Sequence, residues 1–248
     1  MGSGHGGAPM AEAVPGADGT RSKLSGLSLV PISRPLTAGR SATWQFAITD
    51  CDGNAIRKFE RDQTKLLHLI VARSDLTGYQ HLHPTLGRDG RWSVDIDFAQ
   101  PGSYRAIADF TTNGRRYVLG ATLVVPGAAQ PVALPAASTA VSSDGYHVAL
   151  RRPPVIEAGR ESEMTFEVTR NGRAVTDLQP YLGAYGHLVA LHAGDLAYSH
   201  VHPVGESLSA GTITFDAELH KAGPYRLFMQ FQTNGRVHTV AFTQEASR

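Results

Sequence analysis

Six histidines of this chain occur as two matching triplets. Each triplet begins with one histidine, continues thirteen residues later with a second, and ends two residues after that with a third, which a proline follows directly. The triplets are His68, His81, His83 and His187, His200, His202. Three neutral imidazoles that converge can bind Zn(II), Cu(II) or Ni(II). The spacing therefore predicts two metal sites of the same design.

The three rings of a triplet can meet only if the chain folds back on itself between them. The segments HLIVAR and YQHLHP read as two strands joined through SDLT, with facing residue numbers that sum to about 151. His68 then faces His83, and His81 lies on the same side of the ribbon, because side chains two residues apart share a face. The same construction in the second triplet has facing numbers that sum to about 389. This register predicts one three-histidine cluster per hairpin.

The hairpins belong to a longer duplication. Segment 37–56 aligns with 157–175, and segment 101–123 aligns with 222–243. We therefore predict a disordered N-terminal tail at 1–23, a first domain at 24–126, a linker at 127–140 and a second domain at 141–248.

Alternation of apolar and polar residues predicts the secondary structure of both domains. Trp92, Val94, Ile96 and Phe98 alternate with polar residues, which is the period of a half-buried strand. Each copy also contains TNGR, and Asn-Gly is typical of a tight hairpin turn. The predicted fold class is all-β, with two tandem immunoglobulin-like antiparallel β-sandwich domains that arose by internal duplication.

Composition excludes some functions. The formal net charge is +1 and the chain has no long basic run, which argues against nucleic acid as a partner. No apolar run approaches eighteen residues, so we expect no membrane span. The single cysteine, Cys51, cannot form an internal disulfide, and no secretory signal is visible at the N-terminus.

Other polar residues are weaker candidates for a role in the metal sites. Asp109 and Gln230 occupy matching positions on later strands and could supply a fourth ligand or support the ligands, although Asp109 could equally be a solvated strand residue. His192 falls on the opposite face of its strand from His187, so we expect it to take no part.

Three segments carry a resemblance to a known family: YQHLHPTLGRDGRWSVDIDF, LGAYGHLVALHAGDLAYSHVHP and AGPYRLFMQFQTNGRVHTVAF. They resemble bacterial cell-envelope proteins described as heavy-metal-binding, with YtkA-like or FixH-like domains similar to the CopC type of β-sandwich. The resemblance covers about residues 24–244. It implies an exported protein of the cell envelope or extracellular space that handles copper, with a metal ion as ligand and a membrane metal transporter as partner.

Three functions stay open at this point. The first is an exported, non-enzymatic protein that buffers, sequesters or hands over metal, with Cu²⁺ favoured over Zn²⁺ because nitrogen sites bind copper more tightly. The second is a zinc-dependent hydrolase or hydratase, since a three-histidine zinc with an open position can generate hydroxide. The third is a structural or adhesion module whose histidines are hydrogen-bonded core residues.

Overall fold

The computed structural model describes residues 11–32, 35–151 and 156–248, except for the side chains of His200 and His202. The chain divides into two compact units. The first unit contains the residues up to Arg73 and Gly78–Gln130, and the second contains Ser74–Thr77 and Pro131–Arg248. No α-helix is present in the described ranges, and within them no helix is long and apolar enough to cross a membrane.

The first unit is a sandwich of two five-stranded sheets. One sheet has the order β1-β10-β9-β5-β6 and the other β2-β3-β4-β8-β7. The strands are β1 (Glu12–Ala13), β2 (Lys23–Leu24), β3 (Leu27–Ile32), β4 (Arg40–Thr49), β5 (His68–Arg73), β6 (Gln80–Leu82), β7 (Thr85–Leu86), β8 (Arg91–Phe98), β9 (Gly102–Thr112) and β10 (Arg115–Val125).

Large apolar side chains fill the space between these sheets. Trp92, Ile96 and Phe98 of β8 are completely buried, as their alternation with polar residues predicts. Leu69 and Val71 of β5 enter the same core. Because neighbouring side chains of a strand point to opposite faces, His68 and Ile70 lie on the other face of that sheet.

The second unit repeats this plan with one continuous ribbon of strands, in the order β11-β12-β14-β18-β17-β16-β19-β20-β13, and with β15 paired to β14. The elements are β11 (Ala140–Ser143), β12 (Tyr146–Arg151), β13 (Ile156–Glu157), β14 (Glu161–Arg170), β15 (Arg173–Ala174), β16 (Gly186–His192), β17 (Tyr198–Ser207), a 3-10 turn (Leu208–Ala210), β18 (Thr212–Glu218), β19 (Gly223–Thr233) and β20 (Arg236–Ser247).

Strand β17 connects the two sheets of the second unit. Its first residues, Tyr198 to His200, pair with β16, and its later residues, from Val201 onward, pair with β18. In the first unit the same path is divided between two short strands, because β6 ends at Leu82 and β7 begins at Thr85.

The predicted fold class is confirmed, since both units are antiparallel β-sandwiches. The Asn-Gly turns also form as predicted. Asn113 and Gly114 have φ of 51° and 70°, and Asn234 and Gly235 have φ of 49° and 72°. Positive φ at both central residues is the type I′ geometry that matches the twist of a hairpin.

The prediction of a disordered tail at 1–23 is wrong for residues 11–23. Glu12–Ala13 pairs in parallel with the start of β10, and Val14 is buried. The Gly19 carbonyl accepts hydrogen bonds from the Arg105 guanidinium at 2.9 and 2.6 Å. A Gly- and Ala-rich composition does not prevent order where an edge strand offers backbone partners. Residues 1–10 lie outside the described ranges.

The predicted linker at 127–140 contains no strand before Ala140, where β11 begins.

Candidate metal centre

The hairpin of β5 and β6 has the predicted register. Leu69 pairs with Leu82, Ile70 with His81, and Val71 with Gln80, so each pair of numbers sums to 151 as predicted. A shift by one residue would have turned His81 to the opposite face.

The three histidines of the first triplet meet on the outer face of the sheet. We call His68, His81 and His83 the first histidine cluster. Each ring offers one nitrogen, and these three nitrogens all lie within 4.8 Å of one another. Nδ1 of His68 is 3.0 Å from Nε2 of His81, and the ring centroids are 4.9–5.3 Å apart. His68 is buried, whereas His81 and His83 are partly exposed. In the described ranges this is the one group of three or more His, Cys, Asp or Glu residues close enough to hold a metal ion.

A backbone carbonyl fixes the orientation of the buried ring. Nε2 of His68 lies 3.1 Å from the carbonyl oxygen of Asp62. Because a carbonyl only accepts, Nε2 carries the proton and the lone pair is on Nδ1, which faces His81. The carbonyl is presented by a tight turn from Asp62 to Lys65, in which Gln63 and Thr64 have φ of 42° and 70°. A hydrogen bond on the far nitrogen is how proteins orient metal-binding imidazoles.

Charged side chains adjoin the cluster on the same face. Asp109 of β9 pairs with His68 in the strand register, and its carboxylate is bound at two points by the buried guanidinium of Arg116. Burial, followed by the charge of Asp109, raises the pKa of the Asp62 carboxyl group, whereas His68 and Arg116 act to lower it. His68 therefore has the buried Asp109–Arg116 ion pair on the neighbouring strands and the backbone of Asp62 at its Nε2.

The cluster fits a small transition-metal ion. Zinc binds imidazole nitrogen at about 2.0–2.1 Å, so two nitrogens on one tetrahedral ion are roughly 3.3 Å apart. The His68–His81 nitrogen separation of 3.0 Å is close to that value. A pair of nitrogens as far apart as the upper limit of 4.8 Å would need a small movement of one ring before both could bind one ion.

The hairpin of β16 and β17 also has its predicted register. Val189 pairs with His200, Ala190 with Ser199, and Leu191 with Tyr198, so each pair sums to 389. The side chains of His200 and His202 lie outside the described residues, and their convergence with His187 stays a prediction.

His187 is held as His68 is. It is buried, and its Nε2 lies 2.6 Å from the carbonyl oxygen of Tyr181. Tyr181 begins a turn to Ala184 in which Leu182 and Gly183 have φ of 55° and 86°. The same turn, six residues before the first histidine, thus fixes the same tautomer in both units.

The charges around the two histidines differ. Gln230 pairs with His187 where Asp109 pairs with His68, and its amide donates to the hydroxyl of Thr239 at 3.1 Å. Two residues after the glycine of the Asn-Gly turn, the first unit has Arg116 and the second has Val237. The ion pair of the first unit is therefore replaced by neutral groups.

Histidines outside the triplets have other partners. His192 bonds through Nδ1 to Asp195 at 2.8 Å and through Nε2 to the carbonyl oxygen of Ala222 at 3.2 Å. Buried His238 lies between Asp144 at 3.2 Å and the hydroxyl of Thr233 at 3.0 Å.

Sequence reasoning missed the residues that orient the cluster. Asp62 and Tyr181 orient the histidines through backbone carbonyls, so the types of their side chains do not identify them. Each lies six residues before the first histidine of a triplet, and only this equal sequence separation could have revealed them. Arg116 was missed because its partner Asp109 is seven residues away across a turn.

Two of the solved structures that are similar to this chain have low sequence identity to it. FdeC, an Escherichia coli adhesin, is 18% identical over 90% of this chain and 64% of its own, with a TM-score of 0.30. InvD of Yersinia pseudotuberculosis is 16% identical over 89% of this chain and 57% of its own, with a TM-score of 0.29. The chain thus spans less than two thirds of either protein. TM-scores of this size carry no information on function.

No curated protein matches the sequence. A family model described as a domain of unknown function, DUF8832, matches residues 23–127 and again residues 139–248. The predicted domains at 24–126 and 141–248 lie within these two ranges. The chain belongs to the DUF8832 family and carries two tandem copies of its domain.

Proposed function

We propose that the protein binds one divalent transition-metal ion in each unit. The first ion would be held by the first histidine cluster, and the second by His187, His200 and His202. The single observation that carries the proposal is the approach of three imidazole nitrogens to within 4.8 Å in the first unit. Non-enzymatic buffering, sequestration or hand-over of the metal is the role that follows.

The chemistry of the donor set favours copper over zinc. Imidazole suits both Cu(II) and Zn(II), and intrinsic affinity for nitrogen ligands is higher for copper. Cys51 does not belong to the cluster, since it is exposed and its thiol contacts the carbonyl of Gly26. With no thiolate in the donor set, soft Cu(I) is disfavoured.

Partial exposure of two ligands supports exchange of the metal with another protein. His81 and His83 reach solvent, whereas His68 is buried and anchored. A partner can therefore approach the exposed side of the ion while His68 retains it. We propose a cell-envelope or extracellular location and a membrane metal transporter as that partner, in line with the family resemblance of the sequence.

A structural or adhesion module without metal is the second candidate. The observation that favours it is the 3.0 Å contact between Nδ1 of His68 and Nε2 of His81, which joins one nitrogen of each ring in a hydrogen bond. In this case the cluster stabilises the hairpin and needs no ion.

Metal titration separates the two candidates. Untagged, metal-free full-length protein is titrated with Cu(II) and with Zn(II) by calorimetry at pH 7.5. We expect about two ions per chain, bound more tightly than ~10 μM, which corresponds to about −7 kcal/mol. His81→Ala should remove one ion. The matched control is Gln80→Ala, because Gln80 is the preceding residue of β6 and bonds instead to the backbone of Asp97.

The structural candidate is favoured if neither metal binds, or if His81→Ala binds as the wild type does. Zinc-loaded protein is also assayed for ester hydrolysis and for CO₂ hydration. A rate above that of free zinc that disappears in His81→Ala would replace the binding role with the enzymatic one.

A further inference from the structure

His192, the last residue of β16, lies between two hydrogen-bond acceptors. Its Nδ1 is 2.8 Å from a carboxylate oxygen of Asp195, and its Nε2 is 3.2 Å from the carbonyl oxygen of Ala222. A carbonyl oxygen accepts hydrogen bonds and donates none, and the same is true of an ionised carboxylate. A neutral imidazole has one N–H, so it can satisfy only one of these two acceptors. Both bonds form together only when the ring carries two protons and a positive charge.

The carboxylate that faces Nδ1 is ionised wherever histidine titrates. Burial acts to raise the pKa of Asp195, but hydrogen bonds from Lys221, from the Ala197 amide and from His192 outweigh it and hold the pKa at about 2. Lys221 is 2.7 Å from the other oxygen of this carboxylate. The ring of Tyr225 packs edge-on to the imidazole, and burial raises the pKa of its hydroxyl, which is neutral at pH 7. Three ionisable groups thus face His192, from the turn, from the loop before β19 and from β19 itself.

The first unit has a permanent cation at the matching position. Arg73 ends β5 as His192 ends β16. Its guanidinium donates to the carbonyl oxygen of Pro101 at 3.4 Å, and Pro101 directly precedes β9 as Ala222 directly precedes β19. Arginine stays charged in proteins, whereas imidazole gains and loses its charge near neutral pH. The matching carbonyl is therefore bound by a permanent cation in the first unit and by a titratable group in the second.

The surroundings leave the imidazole little room to move. The His192 side chain is 16% exposed, and a Cβ atom on Gly223 would come within 3.0 Å of its Nε2. Beside the ring, the amide of Ala193 donates to the carbonyl oxygen of Pro224 at 2.8 Å. The end of β16 and the start of β19 therefore meet at one junction, and the loss of a ring hydrogen bond should loosen it.

We propose that His192 is a pH-sensitive latch between the β16–β17 turn and the loop that precedes β19. The protonated ring holds Asp195 and Ala222 together, and the loss of one proton releases one of them. The latch is closed at low pH and weakens as pH rises through the titration of the ring. It lies at the turn of the hairpin that carries His187 and His200. Because it needs no ion, this inference is independent of the proposed function.

Amide hydrogen exchange of the metal-free, full-length protein at pH 5.5 and pH 8.5 tests the latch. Protection factors are compared, because they remove the intrinsic pH dependence of exchange. In the wild type the Ala193 amide should be about tenfold more protected at pH 5.5 than at pH 8.5. His192→Arg introduces the cation of the first unit and should give equal protection at both pH values. His192→Gln keeps a donor without the charge and should show the lower protection at both.

His147→Gln is the matched control, because His147 is exposed and its Nδ1 contacts the hydroxyl of Ser142. This variant should keep the pH dependence of the wild type. The triplet histidines of the hairpin are unchanged in His192→Arg, so any effect of their titration would appear in that variant as well. Equal protection of the wild type at the two pH values, or an equal loss in His192→Arg, would overturn the inference.

Discussion

Arg116 binds both carboxylate oxygens of Asp109, with Nε 2.9 Å from Oδ1 and Nη2 3.0 Å from Oδ2. The two side chains are only 7% and 4% exposed. A buried ion pair of this geometry contributes little net stability over an apolar pair, but removal of one partner leaves an unpaired buried charge. Substitution of one partner should therefore destabilise the fold much more than substitution of both.

Asp109→Asn or Arg116→Met alone should lower the free energy of unfolding by about 3–5 kcal/mol. The double variant Asp109→Leu/Arg116→Met should be far closer to the wild type. Urea unfolding of metal-free protein measures all three. The exposed pair of Arg91 and Asp89 is the control, and Asp89→Asn should cost less than about 1 kcal/mol. Equal losses in the single and double variants would contradict this account.

Asp62→Asn should stabilise the metal-free protein at neutral pH. Burial and then the charge of Asp109 raise the pKa of Asp62 above its ordinary value of 3.8. A carboxyl group whose pKa is raised by folding favours the folded state below its unfolded pKa, and that stability is lost as pH rises through the folded pKa. The gain at pH 7 should be at most about 1 kcal/mol, because Asp62 is partly exposed.

The measurement is the difference in melting temperature between Asp62→Asn and wild type at pH 3 and at pH 7. The advantage of the variant should be present at pH 7 and absent at pH 3, where the carboxyl group is protonated in both states. A destabilised variant at pH 7 would mean that the Asp62 carboxylate makes a favourable contact in the folded state.

Asp195 should have the opposite pH dependence. Burial alone would raise its pKa, but hydrogen bonds from Lys221, from the Ala197 amide and from His192 outweigh it and hold the pKa at about 2. A lowered pKa adds stability that is present above about pH 4 and lost as pH falls toward 2. Because the Asp195 side chain is 42% exposed, the contribution should be less than about 1 kcal/mol. Between pH 5 and pH 2 the free energy of unfolding should fall less steeply in Asp195→Asn than in wild type. An unchanged slope of that free energy against pH would contradict the assignment.

Gly120 should tolerate no side chain. A Cβ atom there would overlap the carbonyl oxygen of Gly19 and crowd the guanidinium of Arg105. Gly120→Ala should therefore displace the N-terminal segment and cost about 1–3 kcal/mol or more. Gly205→Ala is the control, since its Cβ meets nothing within 4 Å, and it should change stability by less than about 0.5 kcal/mol. Limited proteolysis should cut residues 11–22 faster in Gly120→Ala than in Gly205→Ala.

The hairpin register of the first cluster was predictable because it rests on local rules. Strand alternation and a turn centred on SDLT determine which side His68, His81 and His83 occupy, and the structure has that register. The position of Asp109 opposite His68 depends on the pairing of β5 with β9, which the duplication alone could not supply. It became visible only with the sheet order.

The order of residues 11–22 was not predictable from composition. Their contacts are long-range: the Gly19 carbonyl meets Arg105, 86 residues away, and the amide of Val14 donates to Arg116. A sequence pattern reports local propensity, whereas these hydrogen bonds exist because β10 offers an open edge. The orienting carbonyls of Asp62 and Tyr181 escaped prediction for a related reason, since every residue type carries that group.

The sharing of β17 between both sheets has a consequence for how the second unit opens. His200 lies on the part of the strand paired with β16, and His202 lies on the part paired with β18. Neither sheet can release this strand without disturbing the other, so its amides should exchange with solvent as one cooperative group. In the first unit β6 and β7 are separate, and each can open by itself. An ion bound by both His200 and His202 would stabilise the point at which β17 passes from one sheet to the other. It would therefore slow amide exchange in both sheets.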